Sequence, residues 1–453
     1  MKRPCLSRSL AAALFVSSFA AAQSSPELRQ ILDRLQKLED ANRQLTDEVH
    51  ALRQDLAAAR AQPATEELTE QAAVEKSRVD ELAQTKVETS QKMPLRITGM
   101  ALFNAYVNGR YNGGTENTPI ASLNPGDATG GGTFRQTILG LEYNGAQTVF
   151  GAKVSGSLDL DLFGGSANSL NHLMRLRTAA ISLDWQNTSV EFGQQKPIIS
   201  PRDPDSFAQV GVSPLTGAGN LWLWQPQVRV EQRFRIGDES GIRVQAGVVQ
   251  TRELGSESTG YPGYVPAPAG TLPVEHADPG VETRVEFWHS WGDTRRLELA
   301  WGFHDNSSSV AASDVTSRVY SADWLIRPVR FVELTGFFYT GQNVADLGAL
   351  PQGFTLYEYR GARPVHSTGG WAQIRFPVSE RLAFDLYSGR QDDRNSDLRA
   401  GYIGLNAGYF ANAIYRIAPN VFLSLEGGQI RTTYLSTGNR LNNHYDLGVA
   451  YLF

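Results

Sequence analysis

The sequence predicts an all-β membrane protein, a 16-stranded antiparallel transmembrane β-barrel preceded by an N-terminal α-helical coiled coil. Three observations carry that expectation. A narrow heptad seam runs through the early part of the 453-residue chain. Alternation of apolar with polar or small residues dominates everything after Pro94, and the connections between alternating stretches are short and long in turn.

The first element is a leader. Lys2, Arg3 and Arg8 flank an apolar run over residues 10–22, and Ala20-Ala21-Ala22 before Gln23 fits a small-residue cleavage site, so residues 1–22 are expected to be a signal peptide. Cys5 is the only cysteine. It precedes the apolar run, so the exported protein is expected to carry no disulfide, no cysteine metal site and no lipid anchor.

The second element is a coiled coil over 23–62. Its apolar positions step alternately by three and four through Leu28, Ile31, Leu35, Leu38, Asn42, Leu45, Val49, Leu52 and Leu56. An ordinary amphipathic helix has a wider stripe than this. Asn42 falls at an a position, where a buried amide selects register and oligomer state, so these residues are expected to assemble copies of the chain. A single solvated helix is the alternative. Pro63 interrupts the repeat, and 63–94 reads as a helical or flexible spacer.

Glycine, tryptophan and tyrosine all lie beyond Pro94, which places the barrel at 95–453. Seven tight turns are expected at Asn144-Gly145-Ala146-Gln147, Gln186-Asn187-Thr188, Gly237-Asp238-Glu239-Ser240, Gly292-Asp293-Thr294, Arg327-Pro328-Val329, Pro377-Val378-Ser379-Glu380 and Ala418-Pro419-Asn420. Eight longer connections are expected around 112–132, 163–171, 197–220, 251–280, 304–315, 341–363, 391–399 and 435–441. Together they join sixteen strands with short turns at one rim and loops at the other, the pattern of a bacterial outer-membrane barrel.

In the last strand, Tyr445, Leu447, Val449, Tyr451 and Phe453 share one face, while His444, Asp446, Gly448 and Ala450 share the other. A closing aromatic after such a strand resembles the insertion signal read by the barrel-assembly machinery, which assigns that role to Phe453. Tyr143, Trp185, Trp291, Trp324 and Tyr415 lie near turns, where an interfacial girdle would place them.

The opposite face carries charge. In 225–236, Val228, Val230 and Phe234 point one way and Arg229, Glu231, Arg233 and Arg235 the other. Arg243, Arg284, Glu286, Arg296, Glu298 and Arg375 alternate likewise, which places them on the pore side. From residue 95 onward there are 27 arginines and 2 lysines. A guanidinium presents a fixed fork of donors to carboxylates and phosphates and keeps its charge when buried. Cross-strand Arg–Glu pairing that merely satisfies a polar interior is the structural alternative. The third long loop, with Pro201, Pro204 and Pro214, is expected to bring Arg202, Asp203 and Asp205 to a constriction, an ordinary external loop being the alternative.

Phe134-Arg135-Gln136-Thr137-Ile138-Leu139-Gly140, Arg175-Leu176-Arg177-Thr178-Ala179, Phe192-Gly193-Gln194-Gln195 and Gln225-Pro226-Gln227-Val228-Arg229 resemble, in order and spacing, the strand motifs of DcaP-type porins. Trp224 stands where that family's pattern has an arginine. The resemblance implies a homotrimer whose N-terminal helices bundle in the periplasm, with the barrel in outer-membrane lipid. It also implies a channel for small anionic solutes such as dicarboxylates.

Other classes fit less well. A net charge of −5 lacks the basic footprint of a nucleic-acid binder. The seven histidines are dispersed and no H-E-x-x-H or G-x-S-x-G occurs, so neither enzyme activity, metal nor cofactor is expected. Two alternatives stay open: an envelope anchor tethered through the coiled coil, and a non-selective general porin.

Overall fold

In the computed structural model the described residues are 40, 44, 46–49 and 51, and 94–453 without 165–171, 251–273, 276–277, 311–312 and 358–360. The chain forms two units, Met1–Met93 and Pro94–Phe453. In the first, the described residues are helical, with Val49 half-buried and the others exposed. The leader, the rest of the heptad seam and the spacer lie outside the described residues.

The second unit is a closed antiparallel barrel of sixteen staves. They are β1 (Leu95–Asn108), β2 (Ile138–Val149), β3 (Ala152–Gly164), β4 (Leu173–Asp184), β5 (Thr188–Gln195), β6 (Gln225–Ile236), β7 (Ser240–Val249) and β8 (Gly280–Trp291). Then follow β9 (Arg295–Val310), β10 (Ser313–Val329), β11 (Val332–Gln342), β12 (His366–Pro377), β13 (Leu382–Asp393), β14 (Ile403–Ala418), β15 (Val421–Tyr434) and β16 (Gly438–Leu452). Each pairs with its neighbour in sequence, and β1 pairs with β16 from Met100↔Leu452 to Asn108↔His444, which closes the ring. Closure leaves no unpaired edge, the condition for a sheet to lie in hydrocarbon. The segment Thr129–Thr133 continues β2 upward along β1, the two parts being separated by 134–137.

Side-chain alternation turns the apolar set outward. Tyr445, Leu447, Val449 and Tyr451 are exposed and His444, Asp446, Gly448 and Ala450 are buried, as a lipid-facing wall requires. Trp291 and Tyr415 stand exposed beside their turns, whereas the Trp324 ring lies over Gly336, where a Cβ would meet it at 2.2 Å.

Four connections differ from the sequence expectation. Asn144-Gly145-Ala146-Gln147 is a register irregularity inside β2 rather than a turn, and the chain reverses at Phe150-Gly151, both in the left-handed region. A bulge absorbs the Asn-Gly signal without ending the strand. Arg327-Pro328-Val329 is the end of β10, with the reversal at 330–331. The expected loop around 304–315 is mostly sheet, because β9 and β10 pair as far as Val310↔Ser313. Likewise β16 begins at Gly438, which leaves only 435–437 between it and β15. Polar strands that outrun the membrane read as loops by composition, yet they keep their ladder bonds.

Candidate solute pathway

The third connection, residues 196–224, lies inside the barrel and follows its wall. The backbone N–H of Ile198 donates to Glu282 of β8 at 2.5 Å, and the Ile199 carbonyl accepts from Ser321 of β10 at 3.2 Å. Arg202 bonds Glu298 of β9 and Asp323 of β10. The Asp205 N–H donates to Gln373 of β12 at 2.7 Å, and Asn412 of β14 donates to the Asp205 carbonyl at 2.8 Å. Ser206 donates to Glu426 of β15, and the Phe207 carbonyl accepts from Asn104 of β1 at 2.9 Å. Gln136 then receives the N–H groups of Val210 and Gly211, while Arg175 and Arg177 of β4 donate to the carbonyls of Gly211 and Val210. The loop is therefore a collar bonded to most of the circumference.

Its second half returns across β12–β14. Gly219, at φ +105°, passes so close that a Cβ there would lie 2.2 Å from the Gly370 carbonyl oxygen, which only glycine permits. Leu215, Ala218 and Leu221 pack with Ala121 of the first loop, with Leu347 of the sixth, and with Phe337, Trp371 and Phe410 of the wall. This apolar cluster fills one side of the lumen toward the loops.

The other side is polar. A continuous chain of charges runs Arg233, Glu231, Arg243, Glu286, Arg284, Asp323, Arg202, Glu298, Arg296. It holds five guanidiniums and four carboxylates. Arg284 is 2% exposed and bonds Asp323 at 2.8 Å and Glu286 at 2.6 Å, which makes it a strut rather than a ligand-facing group. Elsewhere in this chain the arginine is the exposed member: side-chain exposure is 46% against 10% for Arg233–Glu231, and 33% against 1% for Arg243–Glu286. Arg229 pairs with Glu191 at 2.8 Å, and Arg375 bonds the buried Asp385 and the more exposed Asp205. Arg235 makes no ion pair among the described residues. With Arg233, Arg243, Arg296 and Trp288 it lines a cleft of about 410 Å³ at the turn end.

The expected site residues thus divide. Arg229, Arg233, Arg235, Arg243 and Arg296 share one wall, while Arg202, Asp203 and Asp205 sit on the collar, with Lys196 bonded to Asp203. Trp224 is not a gap in the site. The guanidiniums of Arg175 and Arg177 stack over its ring at 5.2 and 4.6 Å while both bond Asp161. Residues that sequence reading missed hold the collar, among them Asn104, Gln136, Asn412 and Glu426. Their signal is weak, because each is a single polar residue whose partners lie up to hundreds of positions away. In the first loop, burial pushes the Glu116 carboxyl up, opposed by its 2.5 Å bond with Arg135.

No protein-family model matches the chain, and no curated protein matches it. Solved structures do match. The outer membrane channel DcaP of Acinetobacter baumannii is similar at a TM-score of 0.62 and 16% identity, over 79% of this chain and 97% of that one. An anion-selective porin from Comamonas acidovorans is similar at 0.52 and 12% identity, over 79% of this chain and 99% of that one. The fold is that of an outer-membrane channel.

Proposed function

We infer that the chain is a bacterial outer-membrane porin, a diffusion channel for small hydrophilic solutes with a preference for anions. One observation carries the anion preference: in the charge chain of the polar wall five guanidiniums meet four carboxylates, and Arg233, Arg243 and Arg296 stand nearer the water than the acids that hold them. A solute passing that wall meets donors first. Low-dielectric walls focus such a local field whatever the net charge of the chain. The planar guanidinium fork suits carboxylate and phosphate oxygens, so dicarboxylates and similar small anions are the natural cargo.

The same reading places the heptad segment in the periplasm as the trimerising element, with Asn42 fixing register. It gives Phe453 a part in recognition by the barrel-assembly machinery. Catalysis has no place in it, and the two similar structures above are channels. Packing of the first, third and sixth loops into the lumen favours a second reading, a plugged anchor without conductance.

Planar-bilayer recording separates the two. Discrete conductance steps, with a reversal potential of anionic sign across a salt gradient, are expected. A silent membrane favours the anchor, and a cationic sign removes the anion preference.

A further inference from the structure

The outer wall has a depression where the lipid-facing side chains shrink to almost nothing. Paired residues across β10–β14 form rows, and one row reads Trp324, Gly336, Ala372, Ser388, Tyr409. The next row toward the loops reads Ala322, Phe338, Gly370, Arg390, Ala407. Below them, large aliphatics resume with Leu334, Ile374 and Leu386. The result is a groove of about 790 Å³ floored by the backbone around Gly370 and walled by Phe338, Trp324 and Tyr409.

Its upper end is not what hydrocarbon alone would accept. Thr340 and Thr368 face outward and bond each other at 3.2 Å. The Arg390 side chain, 61% exposed, pairs with Asp392, Arg394 makes no ion pair among the described residues, and all three line the groove. Charges on the lipid face are tolerated near the interface and costly at depth, so this rim lies at headgroup level. It is the end from which the long connections leave, the outer-leaflet side of a barrel with short periplasmic turns.

We propose that the groove binds the acyl chains of a phosphorylated glycolipid of the outer leaflet, with Arg390 and Arg394 on its phosphate. The inference rests on the outer-membrane placement above. Charge complementarity selects this occupant: Asp392 answers Arg390 alone, and an uncharged chain would leave the Arg394 guanidinium unmatched at the mouth of an apolar slot. Three strands at about 4.8 Å spacing give a floor roughly 10 Å across, which suits adjacent hydrocarbon chains. The convex wall of a second barrel would strike Phe338 and Tyr409 before reaching the floor.

The test uses the full chain purified in mild detergent and titrated with a diphosphorylated, acylated disaccharide lipid or with the same lipid stripped of phosphate. Native mass spectrometry counts bound lipid and subunits together. Retention of the phosphorylated form is expected to exceed that of the stripped form by about tenfold, the scale of one charge-assisted contact. Arg390→Ala with Arg394→Ala should abolish the difference, and Ser388→Leu, which fills the floor, should reduce binding of both forms.

Equal retention of the two lipids overturns the proposal. So does Ser388→Leu if it leaves lipid binding intact, or if it changes subunit number instead. Conductance of the same samples is read separately: lipid binding by a protein that does not conduct sinks the channel and leaves the groove standing.

Discussion

Gln136 donates a 2.8 Å hydrogen bond to the carbonyl of Ala208 on the third connection, and its own oxygen accepts from Val210 and Gly211 on the same loop. One amide 1% exposed thus satisfies three backbone groups of the collar. Gln136→Leu removes all three partners at once. The expected cost is about 2 kcal/mol or more, because buried N–H and C=O groups are left unpaired. Single-channel records should show larger, noisier conductance, and a trace indistinguishable from wild type would show that the collar holds without this residue.

Arg202 bridges the collar to Glu298 and Asp323, both buried. Arg202→Ala takes one of two guanidinium partners from each carboxylate, leaving Asp323 on Arg284 and Glu298 on Arg296, so a loss of roughly 1–3 kcal/mol is expected. Denaturant unfolding should register it, and reversal potentials should move toward cations. Arg202→Ala combined with Glu298→Gln should recover part of the stability, since the excess negative charge that the first substitution leaves on this wall is gone.

Arg235 and Arg233 test whether pairing mutes a guanidinium. Arg235 makes no ion pair among the described residues, and Arg233 lies 2.5 Å from Glu231. Arg235→Ala should therefore weaken anion preference more than Arg233→Ala does. Both effects should be larger at 0.01 M salt, where the Debye length is about 30 Å, than at 1 M, where it is about 3 Å. Equal effects at both salt concentrations would point to a steric role.

In the seventh connection, the Asp397 carboxyl feels burial, which raises it. The side-chain and backbone hydrogen bonds and the charge of His366 outweigh that effect and hold it below the usual carboxylate range. A depressed folded value means stability that is present above the unfolded pKa and lost as pH falls through the folded one. Hydrogen exchange over residues 394–402 should accelerate in acid below pH 4. Asp397→Asn should flatten that dependence, and the same acid response in the variant would remove Asp397 from the explanation.

The barrel was legible because its cause is local. Two-residue periodicity in β16 or β6 sorts lipid from lumen without any knowledge of partners, and five of the seven expected tight turns are where glycine, proline or asparagine marked them, while Asn144-Gly145 and Pro328 lie within strands. Strand ends were less legible, since Ser307, Ser308 and Ser309 look like loop by composition yet pair with Thr316, Val315 and Asp314. The arginine wall was legible by parity, but its counter-ions were not. Asp161, Glu191 and Asp323 meet their arginines only through pairing between strands or through the collar. Trp224 shows the limit most clearly: as a departure from a motif it reads as a missing charge, and in space it is the plate on which two arginines rest.

The collar also bears on assembly. It touches both sides of the seam between β1 and β16, through Asn104 on one side and, via Phe207, Phe422 and Gly448 on the other. A segment bonded to both edges of the seam holds them at one spacing, so seating the third connection favours the pairing of Met100 with Leu452 that closes the ring. That final pairing joins residues more than 300 positions apart, the kind of distant contact that makes folding slow. Variants that loosen the collar should therefore delay closure as well as widen the pore.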